Sequence, residues 1–127
     1  MEKQMFCYQC EQTAGCSGCT GKAGVCGKTA RTAGLQDELT GAQIGLARTC
    51  ASDPKTENTD RLILEGLFAT VTNVNFDDEA IERLIDKVRA EKEQIAPGCA
   101  VCEAKCGNTD EYDMKRIWEA QEDIRSL

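Results

Sequence analysis

The sequence contains no histidine among its 127 residues, and aromatic side chains make up only 5% of it. Without an imidazole, the chain excludes hydrolysis with a histidine base, histidine-ligated zinc or haem, and Rieske clusters. It also lacks any apolar run long enough to form a membrane-spanning helix. We therefore expect a single domain that does not bind a membrane and whose chemistry depends on other side chains.

Positive charge is also scarce, because 15 basic residues face 22 acidic ones, for a net charge of −7. Residues 1–34 are the exception, with four basic and two acidic side chains. Binding of nucleic acid phosphates requires a basic surface, and the acidic balance therefore argues against a nucleic acid partner.

Cysteine, in contrast, is abundant, with nine residues in the chain. Residues 1–6 contain no apolar stretch of the kind found in secretory leaders, and the expected location is therefore cytoplasmic. In a reducing compartment, clustered cysteines are more often metal ligands or redox thiols than disulfides. The odd number agrees, since at least one cysteine could not pair within the chain.

Helical spacing of apolar residues after the cysteine-rich segment predicts an all-α fold. A first helix is expected over 32–49, and Gly34, Gly41 and Gly45 in it would permit close packing of a neighbour. A second is expected over 59–71, capped by Asn58 or Thr59. Its predicted buried stripe consists of Leu64, Leu67, Phe68 and Val71. A third is expected between Asp77, as its cap, and Pro97, and its predicted buried residues are Ile81, Leu84, Ile85, Val88 and Ile95.

A fourth helix is predicted at the C-terminal end of the chain. Asn108 and Glu111 have the spacing of a capping box, and Met114, Ile117, Trp118 and Ile124 would follow on the helix. The whole chain, 1–127, then reads as one domain. It consists of a cysteine loop (1–31), an up-down-up three-helix bundle (32–96), a second cysteine loop (97–107) and a C-terminal helix (108–127). The apolar stripe of this last helix could pair with a second copy and form a homodimer.

The N-terminal loop carries five cysteines, which compete for the four ligand positions of a metal centre: Cys7, Cys10, Cys16, Cys19 and Cys26. A set that includes Cys16 would form a compressed zinc ribbon, although zinc knuckles are usually separated by a dozen residues or more. A set that uses Cys26 instead would spread the thiolates around a larger object, such as an iron–sulfur cluster. Spacing alone leaves both sets open.

Several runs of residues resemble the N-terminal part of the hybrid cluster protein family, also called the prismane or hydroxylamine reductase family. They are MFCYQCEQTA at 5–14, GCT at 18–20, GVCGK at 24–28, TAGLQD at 32–37, GLFATVTNVNFD at 66–77, NTDEYDM at 108–114 and EDIRSL at 122–127. The resemblance implies a [4Fe-4S] cluster bound by Cys7, Cys10, Cys19 and Cys26, with Cys16 left over. In some family members this centre is [2Fe-2S].

The same resemblance implies an electron-transfer module that works with a redox partner protein or with the hybrid-cluster domains of the family. Because those domains use histidine, this chain is not expected to reduce hydroxylamine by itself. Two alternatives remain: a structural zinc-binding or interaction module, and a thiol redox sensor that uses Cys16 and its neighbours.

A second cysteine group, Cys99, Cys102 and Cys106, is one ligand short of a tetrad. In an up-down-up bundle, the end of the first helix lies near the end of the third, which would bring Cys50 to this group. We therefore predict a second site of Cys50, Cys99, Cys102 and Cys106, which would bind a second iron–sulfur cluster or zinc.

Overall fold

A computed structural model describes residues 4–51, 55–71, 77–96 and 110–125. After a 3-10 turn at Ala14–Cys16, the helices are α1 (Ala30–Cys50), α2 (Glu57–Val71), α3 (Asp78–Ile95), α4 (Lys115–Trp118) and α5 (Glu122–Arg125). Helices α1, α2 and α3 all pack against one another. The predicted all-α three-helix bundle is therefore confirmed, whereas the single-domain boundaries stay a prediction.

Helix α1 forms the centre of the bundle. Thr29 is the N-cap of this helix, because its side-chain oxygen accepts a hydrogen bond from the backbone N–H of Thr32. Its buried face meets the apolar faces of α2 and α3 in one core, which contains Leu39, Ala42, Leu46, Leu62, Ile81, Leu84, Ile85 and Val88. The predicted first helix is correct to within two residues at each end.

The predicted buried stripe of α2 is wrong. Leu64, Phe68 and Val71 are each more than 60% exposed and Leu67 is 50% exposed. The helix instead buries Thr59, Leu62, Gly66 and Thr70. Buried glutamines of α1 fix this orientation, since Gln43 donates to the carbonyls of Leu62 and Ile63, and Gln36 to that of Ala69. The Gln43 side chain occupies the place of a Cβ at Gly66.

The start of α2 also differs from the predicted cap. Thr56 and Thr59 bond reciprocally, each side-chain oxygen accepting the other residue's backbone N–H at 3.3 and 3.1 Å. This is the capping-box arrangement with threonine in the second position, and it begins the helix at Glu57 rather than Thr59. Asn58 instead donates from its side chain to Glu91 on α3.

Helix α3 matches its prediction closely. Asp77 is its N-cap, accepting from the N–H of Ala80, and Asp78 and Glu79 occupy the first turn. The predicted core residues Ile81, Leu84, Ile85 and Val88 are all buried, and Ile95 is half-buried against the same core.

The predicted continuous C-terminal helix is wrong. Residues 110–113 are not helical, and only the single turns α4 and α5 follow. Glu111 pairs with Arg89 on α3 at 2.8 Å instead of capping a helix. The segment crosses α1 at Gly41 and Gly45, where a Cβ would collide with the backbone of Tyr112 or approach Glu111 closely. The N–H of Tyr112 donates to the carbonyl of Gly41 at 3.3 Å. These tertiary contacts keep the backbone of the segment out of a helix. At Gly34, the third glycine named for close packing, no described atom lies within 4 Å of a Cβ, so that part of the prediction is wrong.

Among the described residues, no helix is both long and apolar enough to cross a membrane.

Candidate metal centre

The N-terminal loop is organised by a backbone bridge between two of its cysteines. Cys7 and Cys19 exchange hydrogen bonds in an antiparallel pair, with N···O distances of 3.0 and 2.8 Å. Gly18, which precedes Cys19, has a φ of +90°, a backbone conformation that favours glycine. A Cβ at Gly18 would lie 2.9 Å from the Phe6 ring, so this close approach also requires glycine.

A small apolar cluster attaches this bridge to the bundle. Met5 is completely buried, Cys19 is 7% exposed, and both pack against Ala33 in the first turn of α1. Cys7 is half-buried at the edge of the same cluster. Two of the four predicted cluster ligands are therefore held together at the N-terminal end of α1.

The other cysteines of the loop are half-buried or exposed. Cys10 is half-buried, whereas Cys26 is exposed on a turn that Gly24 and Gly27 close through a hydrogen bond of 3.0 Å. Cys16 is also exposed, and its φ of +58° is that of a left-handed turn. Across the part of the chain that the structure describes, no three cysteine or carboxylate side chains converge on one point. The structure thus brings Cys7 and Cys19 together but does not close the tetrad, and the ligand set stays a prediction.

Of the basic residues near the loop that the structure describes, only one is buried. Lys28 is 1% exposed; its Nζ donates to Oε1 of Gln9 at 2.8 Å and lies 3.6 Å from Sγ of Cys7. Arg31 is exposed and paired with Glu82 at 2.8 Å, and Lys22 is exposed. Soft thiol donors on a glycine-rich loop, with a buried ammonium beside one of them, fit an anionic thiolate-ligated cluster.

A cavity of about 470 Å³ separates the loop from the C-terminal turns, and Asp37 and Trp118 line it together with Cys7. The indole Nε1 of Trp118 donates to Oδ2 of Asp37 at 3.2 Å. Burial raises the pKa of Asp37 from 3.8 to about 6, while the hydrogen bond from Trp118 and the charges of Lys28 and Lys115 limit the rise.

The titration of Asp37 gives a prediction that can be measured through the single tryptophan of the chain. We expect Trp118 fluorescence to change with a midpoint near pH 6, and the change to vanish in Asp37→Asn. Because the pKa is raised on folding, this group's contribution to stability is complete below pH 3.8 and is lost as the pH passes 6. The loss amounts to about 3 kcal/mol, which Asp37→Asn should restore at pH 7. The matched control is Glu119→Gln, which changes an exposed carboxylate beside the same tryptophan; an unchanged titration in Asp37→Asn would refute the assignment.

Only one member of the predicted second site lies within the described residues. Cys50, at the end of α1, is half-buried against the main core and lies beside Thr59 and Glu91. Burial raises the pKa of its thiol, which does not favour the thiolate form that a metal needs. Cys99, Cys102 and Cys106 lie outside the described residues, so the second site stays a prediction.

The protein is therefore an all-α module: a three-helix bundle with a cysteine loop at one end, which is a candidate thiolate-ligated metal centre. Over residues 5–127 the chain matches the model of the Prismane/CO dehydrogenase family, and it therefore belongs to that family. This confirms the resemblance seen in the sequence.

Curated relatives agree with this family. A hydroxylamine reductase of Porphyromonas gingivalis is 38% identical over an alignment of 147 positions, which covers 100% of this chain and 26% of the relative. Hydroxylamine reductases of Methanococcus vannielii and Desulfovibrio desulfuricans are each 39% identical over 127 positions, which cover 97% and 96% of this chain and 22% of each relative. The chain thus spans about a quarter of the length of these relatives, and it matches an N-terminal portion of them.

The sequence does not show which basic residue of the loop is buried. Lys22, Lys28 and Arg31 all lie in the basic segment 1–34, and no periodicity distinguishes Lys28 from the other two. Asp37 follows the run TAGLQ on α1 and carries no signal of its own, because its surroundings come from the distant Trp118.

Proposed function

We propose that this chain is an iron–sulfur electron-transfer module whose cluster is held by Cys7, Cys10, Cys19 and Cys26. The observation that best supports the proposal is the backbone bridge between Cys7 and Cys19. It holds these two cysteines side by side where the loop packs on the first turn of α1. Membership of the Prismane/CO dehydrogenase family supports an iron–sulfur centre over zinc.

The protein's own contribution would be to hold thiolates and to control their surroundings. Cys19 is buried and both Cys7 and Cys10 are half-buried, so part of the centre would be shielded from water, whereas Cys26 is exposed. A cubane cluster bound there would accept and release one electron at a time. The accessible side of the loop is the side on which a redox partner protein could deliver the electron.

The longer relatives are named hydroxylamine reductases. We propose that the electron taken up at this loop passes to a catalytic centre in other domains of a hydroxylamine reductase-like enzyme. The chain described here would then lack that activity by itself. The predicted homodimer and the cytoplasmic location also remain proposals.

Anaerobic purification tests the cluster directly. We expect a brown protein with about four iron and four sulfide per chain and broad absorption near 400 nm that is bleached by dithionite. A colourless protein with one zinc per chain would replace the proposal with the structural zinc module. A metal-free protein whose thiols pair reversibly would favour the thiol redox sensor.

A further inference from the structure

The most unusual side chain in the described part of the molecule is Lys28, because it is the largest of those that are almost completely buried. Only 1% of its surface is exposed, although it ends in an ammonium group. Lysine is almost never fully buried unless its charge is paired. The surroundings of its Nζ therefore indicate what the charge is placed to meet.

Within the described ranges, no carboxylate forms an ion pair or hydrogen bond with the ammonium. Nζ donates to the neutral amide oxygen of Gln9 at 2.8 Å, and its other neighbour is Sγ of Cys7 at 3.6 Å. None of the ion pairs formed among the described residues includes Lys28. Asp37 senses the lysine's charge through space but bonds to Trp118 instead. Gln9 thus orients the ammonium towards a sulfur.

The backbone fixes this position as well. The carbonyl of Lys28 accepts from the N–H of Gly24 at 2.7 Å, in the turn that carries Cys26. A Cβ at Gly24 would meet both Sγ of Cys26 and Cβ of Lys28, at 3.5 and 3.7 Å. The lysine is therefore built into the cysteine loop between the segments of Cys7 and Cys26.

We propose that Lys28 is a positioning residue that sets the reduction potential of the centre through its charge and its hydrogen bond to Cys7. This inference rests on the proposed function. A four-thiolate cubane carries a negative charge that grows by one when an electron enters. A fixed cation in a water-poor site stabilises that added charge strongly, and it therefore raises the potential.

The neighbouring cations cannot replace it. Arg31 is neutralised by Asp78 and Glu82, at 3.4 and 2.8 Å, and Lys22 is exposed to solvent, where ionic screening weakens its field. Lys22 therefore offers a matched control, because its replacement removes the same formal charge from the same loop.

The test is an anaerobic redox titration of purified protein followed by absorption and EPR, with iron and sulfide measured on each sample. Lys28→Met removes both the charge and the hydrogen-bond donor, and it should lower the midpoint potential by at least 59 mV. For a one-electron couple, this shift corresponds to a tenfold change in the ratio of oxidised to reduced cluster. Lys28→Gln keeps a hydrogen-bond donor but no charge, so its midpoint potential should lie between those of Lys28→Met and the wild type. The midpoint potential of Lys28→Arg should stay near that of the wild type. Lys22→Met should leave the potential unchanged.

The outcomes separate this inference from the proposed function. If every variant binds iron and sulfide but the potentials of Lys28→Met and Lys22→Met both equal that of the wild type, the role of Lys28 is refuted while the cluster stands. If the wild type holds no iron, the proposed function fails and the inference with it. Where Lys28→Met does not fold, as judged by circular dichroism, the difference between Lys28→Gln and Lys28→Arg decides the matter.

Discussion

Cys19→Ser is expected to lose most of the iron and sulfide of the protein, whereas Cys16→Ser should keep both. Cys19 is 7% exposed and lies in the backbone bridge to Cys7, where a serine oxygen would be a much poorer ligand for iron. Cys16 lies in an exposed turn, and its carbonyl accepts a hydrogen bond from the Tyr8 hydroxyl at 3.1 Å. The measurements are iron and sulfide per chain and the visible absorption after anaerobic purification.

The two serine variants act as controls for each other, because both change one sulfur to oxygen in the same loop. The main core of the bundle does not include either residue, so far-UV circular dichroism should show wild-type helix content in both. If Cys16→Ser lost the metal and Cys26→Ser retained it, the ligand set would be that of the compressed zinc ribbon, and the proposed tetrad would be wrong.

Sequence patterns predicted α1 and α3 well because each has a single apolar stripe, to which α3 adds a clear cap. Asp77 precedes acidic residues that favour a helix N-terminus, and Ile81, Leu84, Ile85 and Val88 repeat at helical spacing. Local rules and tertiary packing agree in these two helices, so the sequence was sufficient.

The failure at α2 has a physical cause that the sequence does not display. The helix has two possible stripes, one of large apolar residues and one of Thr59, Leu62, Gly66 and Thr70. Hydrophobicity favours the first, but the buried amides of Gln36 and Gln43 require carbonyl partners, and a glycine is needed where Gln43 crosses. Polar satisfaction and close approach therefore decided which face is buried.

The C-terminal segment failed for a related reason. Of its predicted apolar stripe, Met114, Ile117 and Trp118 are half-buried, whereas Ile124 is 51% exposed. The bonds that Glu111 and Tyr112 make to α3 and α1 join residues far apart in the chain, and a local capping signal cannot foresee them. The burial of Lys28 is of the same kind, since it depends on the loop path between Gln9 and Cys7.

Glu91→Ala is expected to lower the free energy of unfolding by about 2–3 kcal/mol, because it leaves buried hydrogen-bond donors without an acceptor. Glu91 on α3 is only 3% exposed. Its carboxylate accepts from the hydroxyls of Thr56 and Thr59 and, at 2.8 Å, from the amide of Asn58. The carboxylate therefore joins α3 to the first turn of α2, and Thr59, which is fully buried, has no access to water as a substitute.

The pH dependence and a neighbouring control distinguish this network from a general effect of removing charge. Hydrogen bonds from Thr56 and Asn58 lower the pKa of Glu91 below its usual 4.5, so its contribution to stability is present above that pH and is lost as the pH falls through the lowered value. Denaturant unfolding followed by circular dichroism should show Glu91→Ala far below wild type at pH 7, with a smaller difference near pH 3. Glu93→Ala removes an exposed carboxylate from the same helix and should change stability by less than about 0.5 kcal/mol. Equal losses in the two variants would show that the contacts of Glu91 do not stabilise the junction of α2 and α3.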